Sequence, residues 1–110
     1  MLVGSKRPFV VTSPTAVAMS VDGKPVTEDS PLAPWNPRAA SETAIKTLAE
    51  RGVKTSIVRL SQVHDTHKQG AVSPAVQVAR EKGTSAYVGD GSNRWSAVHV
   101  SDVARLYPAG

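Results

Sequence analysis

The sequence predicts an α/β fold built on parallel strands. A continuous apolar run, Pro8–Thr12 (PFVVT), and a second segment of strand length, Val53–Leu60 (VKTSIVRL), are rich in β-branched residues. A single helix with clear start and stop signals lies between them. That order is a crossover unit, which joins parallel strands with a right-handed connection. The stretch Ala86–Tyr107 (AYVGDGSNRWSAVHVSDVARLY) then reads as a short strand, a Gly-Asp-Gly turn, a second strand at Ser96–Val100 and a capped helix.

Each element follows from its local chemistry. Pro8–Thr12 has no polar alternation, so it is expected to be buried on both faces, and Ser13-Pro14-Thr15 closes it. Met19–Pro37 holds Pro25, Pro31, Pro34 and Pro37, which excludes a continuous helix or a central strand. Asn36 is a capping residue and Pro37 suits the first helical position. Ala40, Ala44, Ile45, Leu48 and Ala49 then form an apolar stripe, and Gly52 supplies a left-handed C-terminal cap. Val63–Ser73 is a polar loop. A second helix starts at Ser73-Pro74 and ends at Lys82-Gly83, with Val72, Val76 and Ala79 as its inner face. Ser101 caps a last helix, which Pro108 ends.

Composition narrows the function classes. The chain has 110 residues, room for one domain, divided here as residues 1–65 and 66–110 of a single compact unit. Aromatic residues make up 5%, so the core must rest on Val, Ala and Leu, which bury little area each. There are no cysteines, which excludes a disulfide framework, a thiolate metal site and a cysteine nucleophile. No apolar run approaches the roughly 20 residues of a membrane span, and the apolar run Phe9–Val11 is too short for a signal-peptide core. A cytoplasmic protein is expected. The formal net charge is +4, but the basic residues are scattered, acids interrupt them and no aromatic ladder accompanies them. No nucleic-acid partner is expected. His64 and His67 stand three apart beside Asp65 without a third ligand at a motif spacing, so no metal is expected. No Gly-x-Ser-x-Gly elbow is present to support a Ser-His-Asp triad.

The segment Val98-His99-Val100-Ser101-Asp102-Val103-Ala104, with Gly89-Asp90-Gly91 before it, closely resembles the C-terminal part of the extended and atypical short-chain dehydrogenases/reductases, the NAD(P)-dependent epimerase/dehydratase family. The resemblance runs from about Pro8 to Tyr107 and covers only the later part of a typical member. It implies a partial Rossmann-type parallel sheet with flanking helices (residues 1–65) and a partial substrate-binding lobe (residues 66–110). No Gly-x-x-Gly-x-x-Gly loop, the family's pyrophosphate cradle, occurs in the sequence. The expectation is a truncated oxidoreductase-family polypeptide, inactive alone, whose full-length parent binds NAD or NADP. The alternative is a non-catalytic binding or regulatory module that associates with a partner chain.

The resemblance also assigns positions. Phe9–Ser13 matches the family's fifth strand, beyond whose end a hydroxyl meets the substrate oxygen. Aligned on Val17, that hydroxyl position falls on Pro14. Ser13 and Thr15 flank it as substitutes, unless Ser-Pro-Thr is only a turn. In the Tyr-x-x-x-Lys pair that moves the proton, Arg38 and Glu42 stand at the two positions, and a one-turn slip gives Glu42 and Lys46. Glu42 and Lys46 otherwise read as a surface helix pair worth a few tenths of a kcal/mol. Ile57–Asp65 is similar to the Leu-Arg-Pro-x-x-Val-Tyr-Gly segment, with Arg59 and Val63 as its matches. Thr12, Ser13 and Val63 are the cofactor-side residues so implied. Arg94 is the substrate-phosphate candidate, or else a solvated turn charge. His99 is read as a structural residue holding its turn. The Phe9–Thr12 edge would pair with a second copy or with a complementing N-terminal half.

Overall fold

A computed structural model describes residues 2–109. The protein is mixed α/β and divides into two compact units, Met1–Leu60 and Ser61–Gly110.

In the first unit, strand β1 (Phe9–Pro14) pairs in parallel with β2 (Thr55–Leu60), in the register Phe9↔Thr55 through Pro14↔Leu60. Helix α1 (Arg38–Glu50) makes the crossover. Its start follows the expected logic: Asn36 Oδ1 accepts the Arg38 N–H at 3.0 Å, and Pro37 already has helical dihedrals. At its end Gly52 has φ +82°, the left-handed conformation that suits glycine. The proline-rich connection closes on itself through an Ala18↔Leu32 bridge and an Ala33 N–H to Val17 carbonyl bond of 2.7 Å. Its tip turns at Asp22-Gly23, where both residues have positive φ, as in a type I′ turn. Val17, Ala18, Ala33, Ile45 and Val53 form the buried apolar core.

Two expectations fail in this unit. β1 is half-buried rather than enclosed on both faces, because among the described residues its unit has one α-helix, α1, to cover the strand pair. On α1, Ile45 is buried and Leu48 half-buried, but Ala40, Ala44 and Ala49 are exposed. The inward face instead includes Glu42. A carboxylate can occupy an inward position only when paired, and its partner lies 17 residues on.

The second unit contains β3 (Gln62–His64), α2 (Ser73–Lys82), β4 (Ala97–His99) and α3 (Val100–Ala109). β3 lies where a loop was expected. It pairs in parallel with β4, His64 opposite His99. The predicted strand before Gly89-Asp90-Gly91 does not form; residues 84–96 hold no regular element, and β4 finds its partner in β3 instead. Ser73 is the first residue of α2 rather than its cap, and its Oγ accepts the Gln69 N–H at 3.0 Å. Val76 and Ala79 are half-buried as expected, whereas Val72 is exposed. His99 rather than Ser101 precedes α3: its Nδ1 accepts the Ser101 N–H at 3.2 Å. Pro108 falls within α3's range rather than stopping it, which proline permits only with loss of a helix hydrogen bond. None of the described side chains in this unit is fully buried.

Candidate functional site

Because β1 and β2 run parallel, their carboxyl ends, Ser13-Pro14 and Arg59-Leu60, lie at one edge of the pair. The first turns of α1 bring Arg38 and Glu42 to that edge, four residues apart and so on one helix face. Arg38 Nη2 donates to the Thr12 carbonyl at 2.7 Å. Glu42 is fully buried and receives a two-pronged bond from Arg59: Nε to Oε1 at 3.0 Å and Nη2 to Oε2 at 2.7 Å. Arg59 Nη1 also donates to the Glu28 carbonyl at 3.2 Å. One arginine thus ties β2 to α1 and to the proline-rich connection.

The electrostatics follow from that geometry. The Arg59 hydrogen bonds hold the Glu42 carboxyl below its usual range and outweigh the opposing cost of burial. The Glu42 carboxylate in turn raises the Arg59 pKa. Ser13 is 2% exposed, and its hydroxyl also favours ionised Glu42 although its Oγ makes no hydrogen bond of acceptable geometry. Beside the pair lies a cavity of about 240 Å³, lined by Thr15, Val26, Thr27, Glu28 and Arg59. The arrangement can orient and bind. Glu42 is fully buried with an Arg59 N–H on each oxygen, so it serves as a structural partner, and arginine does not give up its own proton near neutral pH.

Of the sequence-predicted site residues, Thr12, Ser13, Thr15, Arg38 and Glu42 all belong to the first unit. Ser13, Arg38 and Glu42 meet at the strand ends, and Thr15 lines the cavity. The reading of Glu42 and Lys46 as a solvated pair is overturned by the burial of Glu42. Val63 and Arg94 belong to the second unit. Val63 is a half-buried β3 residue opposite Val98, and Arg94 is exposed within residues 84–96. Sequence reasoning matched Arg59 to a family motif but gave it no partner. Its placement beside the apolar residues Ile57, Val58 and Leu60 was the available signal, since an arginine on a packed strand needs an acid. The hydrogen bond to Glu28 had no signal, because a backbone carbonyl accepts it, although the Glu28 charge also favours protonated Arg59.

In the second unit the His64 and His99 rings stand edge to face with centroids 5.8 Å apart, and His99 Nδ1 lies 2.8 Å from Ser101 Oγ. Asp65 Oδ1 accepts the backbone N–H groups of His67 and Lys68, which lower its pKa. Among the described residues no group of three or more His, Asp or Glu side chains could hold a metal ion. No helix among them is long and apolar enough to cross a membrane.

The chain is similar to an uncharacterized protein of Schizosaccharomyces pombe, with 42% identity over 109 residues covering 97% of this chain and 37% of the relative. It is also similar to an uncharacterized protein of Saccharomyces cerevisiae, with 36% identity over 113 residues covering 96% of this chain and 36% of the relative. The chain therefore spans just over a third of the length of these curated relatives. No protein-family profile matches it. No solved structure matches it.

Proposed function

We propose that this chain corresponds to the later portion of an NAD(P)-dependent epimerase/dehydratase-like protein and is without catalytic activity alone. The observation that supports this most is the β1–α1–β2 unit, with Ser13, Arg38, Glu42 and Arg59 gathered at the carboxyl ends of two parallel strands. In open parallel α/β sheets ligands bind outside those ends. The residues present do not fit a whole dinucleotide. A pyrophosphate sits on a glycine-rich turn at a helix N-terminus. Here α1 begins with Asn36-Pro37, and Asn36 already receives the Arg38 N–H. The adjoining cavity, about 240 Å³, is below the roughly 300 Å³ at which sites for drug-sized ligands begin. NAD or NADP binding belongs, in this proposal, to a longer polypeptide that supplies the missing cradle.

A second reading, a non-catalytic binding or regulatory module, is favoured by the Glu42–Arg59 pair. Glu42, which stands at the family's lysine position, is committed to Arg59 instead. Fluorescence titration of NADH and NADPH against this chain and against the S. pombe relative separates the two. The first reading expects submicromolar to micromolar binding of one cofactor by the relative and far weaker binding by this chain. Low-micromolar binding by this chain contradicts the proposal. Failure of the relative to bind either cofactor leaves the second reading.

A further inference from the structure

The sequence holds two Asp-Gly pairs, Asp22-Gly23 and Asp90-Gly91. In such a pair the aspartate side chain and the next backbone nitrogen can close a cyclic imide. The glycine nitrogen bonds to the aspartate Cγ, the Cγ–OH bond breaks, and the hydroxyl leaves as water with the amide proton. Water then adds back across one of the imide C–N bonds. When the bond to the main-chain carbonyl carbon breaks, the chain runs on through Cγ as an isoaspartyl linkage. No oxidant or cofactor takes part. Glycine is the most permissive follower because it has no Cβ to hinder its nitrogen.

The two pairs occupy different places in their turns. Asp22 and Gly23 are the central residues of a turn closed by the Lys24 N–H to Val21 carbonyl bond of 3.1 Å, with φ +55° and +69°. The amide between two central residues donates to nothing within a β-turn, and the Gly23 N–H has no acceptor among the described residues. The Asp22 carboxylate likewise has no hydrogen bond or ion pair among them. Residues 20–29 are all exposed, so Asp22 can rotate toward ring closure without displacing a packed side chain.

Asp90 stands one position later in its turn. The nitrogen it would have to bond is therefore the one that closes the turn: Gly91 N–H donates to the Val88 carbonyl at 3.0 Å. The Tyr87 ring lies beside Gly91, 3.2 Å from where a Cβ would stand. Asp90 Oδ1 accepts from the Ser92 N–H and hydroxyl at 3.0 and 2.6 Å. Those bonds hold the Asp90 carboxyl below its usual range, whereas ring closure consumes the protonated acid. We propose that Asp22-Gly23 is a site of spontaneous isoaspartate formation in the folded chain, and that the same dipeptide at Asp90-Gly91 is protected by its turn. The conversion inserts one backbone carbon ahead of Val26, Thr27 and Glu28, which line the cavity beside Arg59.

Incubating the full chain for weeks at neutral pH and physiological temperature, then mapping its peptides with electron-driven fragmentation, tests this. Circular dichroism is the folding control. The expected result is isoaspartate accumulating at Asp22 about tenfold faster than at Asp90, the factor that one or two hydrogen bonds on the reacting groups amount to. In concentrated guanidinium chloride the two rates converge, because the turns are gone and only the dipeptides remain. Absence of isoaspartate at Asp22, equal rates at the two sites in the folded chain, or a ratio that guanidinium chloride leaves unchanged overturns the proposal.

Discussion

Glu42→Gln leaves the Arg59 guanidinium largely covered and without its counter-charge. Breaking a buried pair from one side costs about 3 kcal/mol, more than any exposed ion pair in a chain of this size would contribute. Urea denaturation at neutral pH is expected to show that loss. Replacing Glu42 and Arg59 together by Met and Leu should recover most of it, because no uncompensated charge remains. The pH dependence has a definite sign. The folded-state pKa of Glu42 lies below 4.5. Its contribution is therefore fully present above the unfolded value and lost as pH falls through the folded one. The difference in urea midpoint between the native chain and Glu42→Gln should be constant near neutrality and shrink below about pH 4.5. A difference that does not change with acid would show the carboxylate is not the source. The same geometry bears on restoring the family's pair: Arg38→Tyr with Glu42→Lys places a second cation against Arg59, so loss of folding, not turnover with a carbonyl substrate and NADPH, is the expected result. The sequence marks this pair only faintly. Glu42 looks like one half of an i,i+4 surface pair with Lys46, and nothing local to α1 discloses an arginine on the next strand.

Elements with strong local chemistry are the ones sequence reasoning places correctly. Asn36-Pro37 and Gly52 bound α1, and the β-branched runs give β1 and β2, because caps, φ restrictions and apolar runs act within a few residues. β3 escapes it, and β4, expected within Ser96–Val100, is placed without its partner. Three-residue strands have no periodicity to detect, and their partnership depends on a tertiary meeting of Gln62–His64 with Ala97–His99. The Gly-Asp-Gly signal is real as a turn but misleads as a hairpin, since its flanks do not pair. Gly70 is the sharpest constraint in this unit. It has φ +58°, and a Cβ there would sit 2.5 Å from the Val63 carbonyl oxygen. Gly70→Ala should therefore destabilise the chain by about 2 kcal/mol or more, from left-handed strain together with displacement of β3. Gly23→Ala, with φ +69° and open space, should cost only the conformational part, about 1 kcal/mol. Equal losses in thermal denaturation would mean that the close approach to Val63 is not maintained.

At the scale of the whole chain, the parallel β1–β2 pair is the feature that asks most for explanation. Two-stranded parallel sheets are rarely left uncovered, since parallel strands are normally buried on both faces. Yet β1 is half-buried and has one strand neighbour among the described residues. The sequence anticipated an edge of this kind at Phe9–Thr12. It could not place Val63 and Arg94, which the structure assigns to a different unit from Ser13, Arg38 and Glu42. Local patterns carry no information on how separate units combine. Under the proposed function, the β1–α1–β2 unit is part of a larger parallel sheet of the kind that binds dinucleotides at its strand ends. A crystal structure of the S. pombe relative with NADPH tests that most directly. The account predicts that the counterpart of β1 is an interior strand with parallel neighbours on both sides and that the nicotinamide end of the cofactor lies at its carboxyl end. A β1 counterpart at a sheet edge, or with an antiparallel neighbour and the cofactor elsewhere, would contradict it.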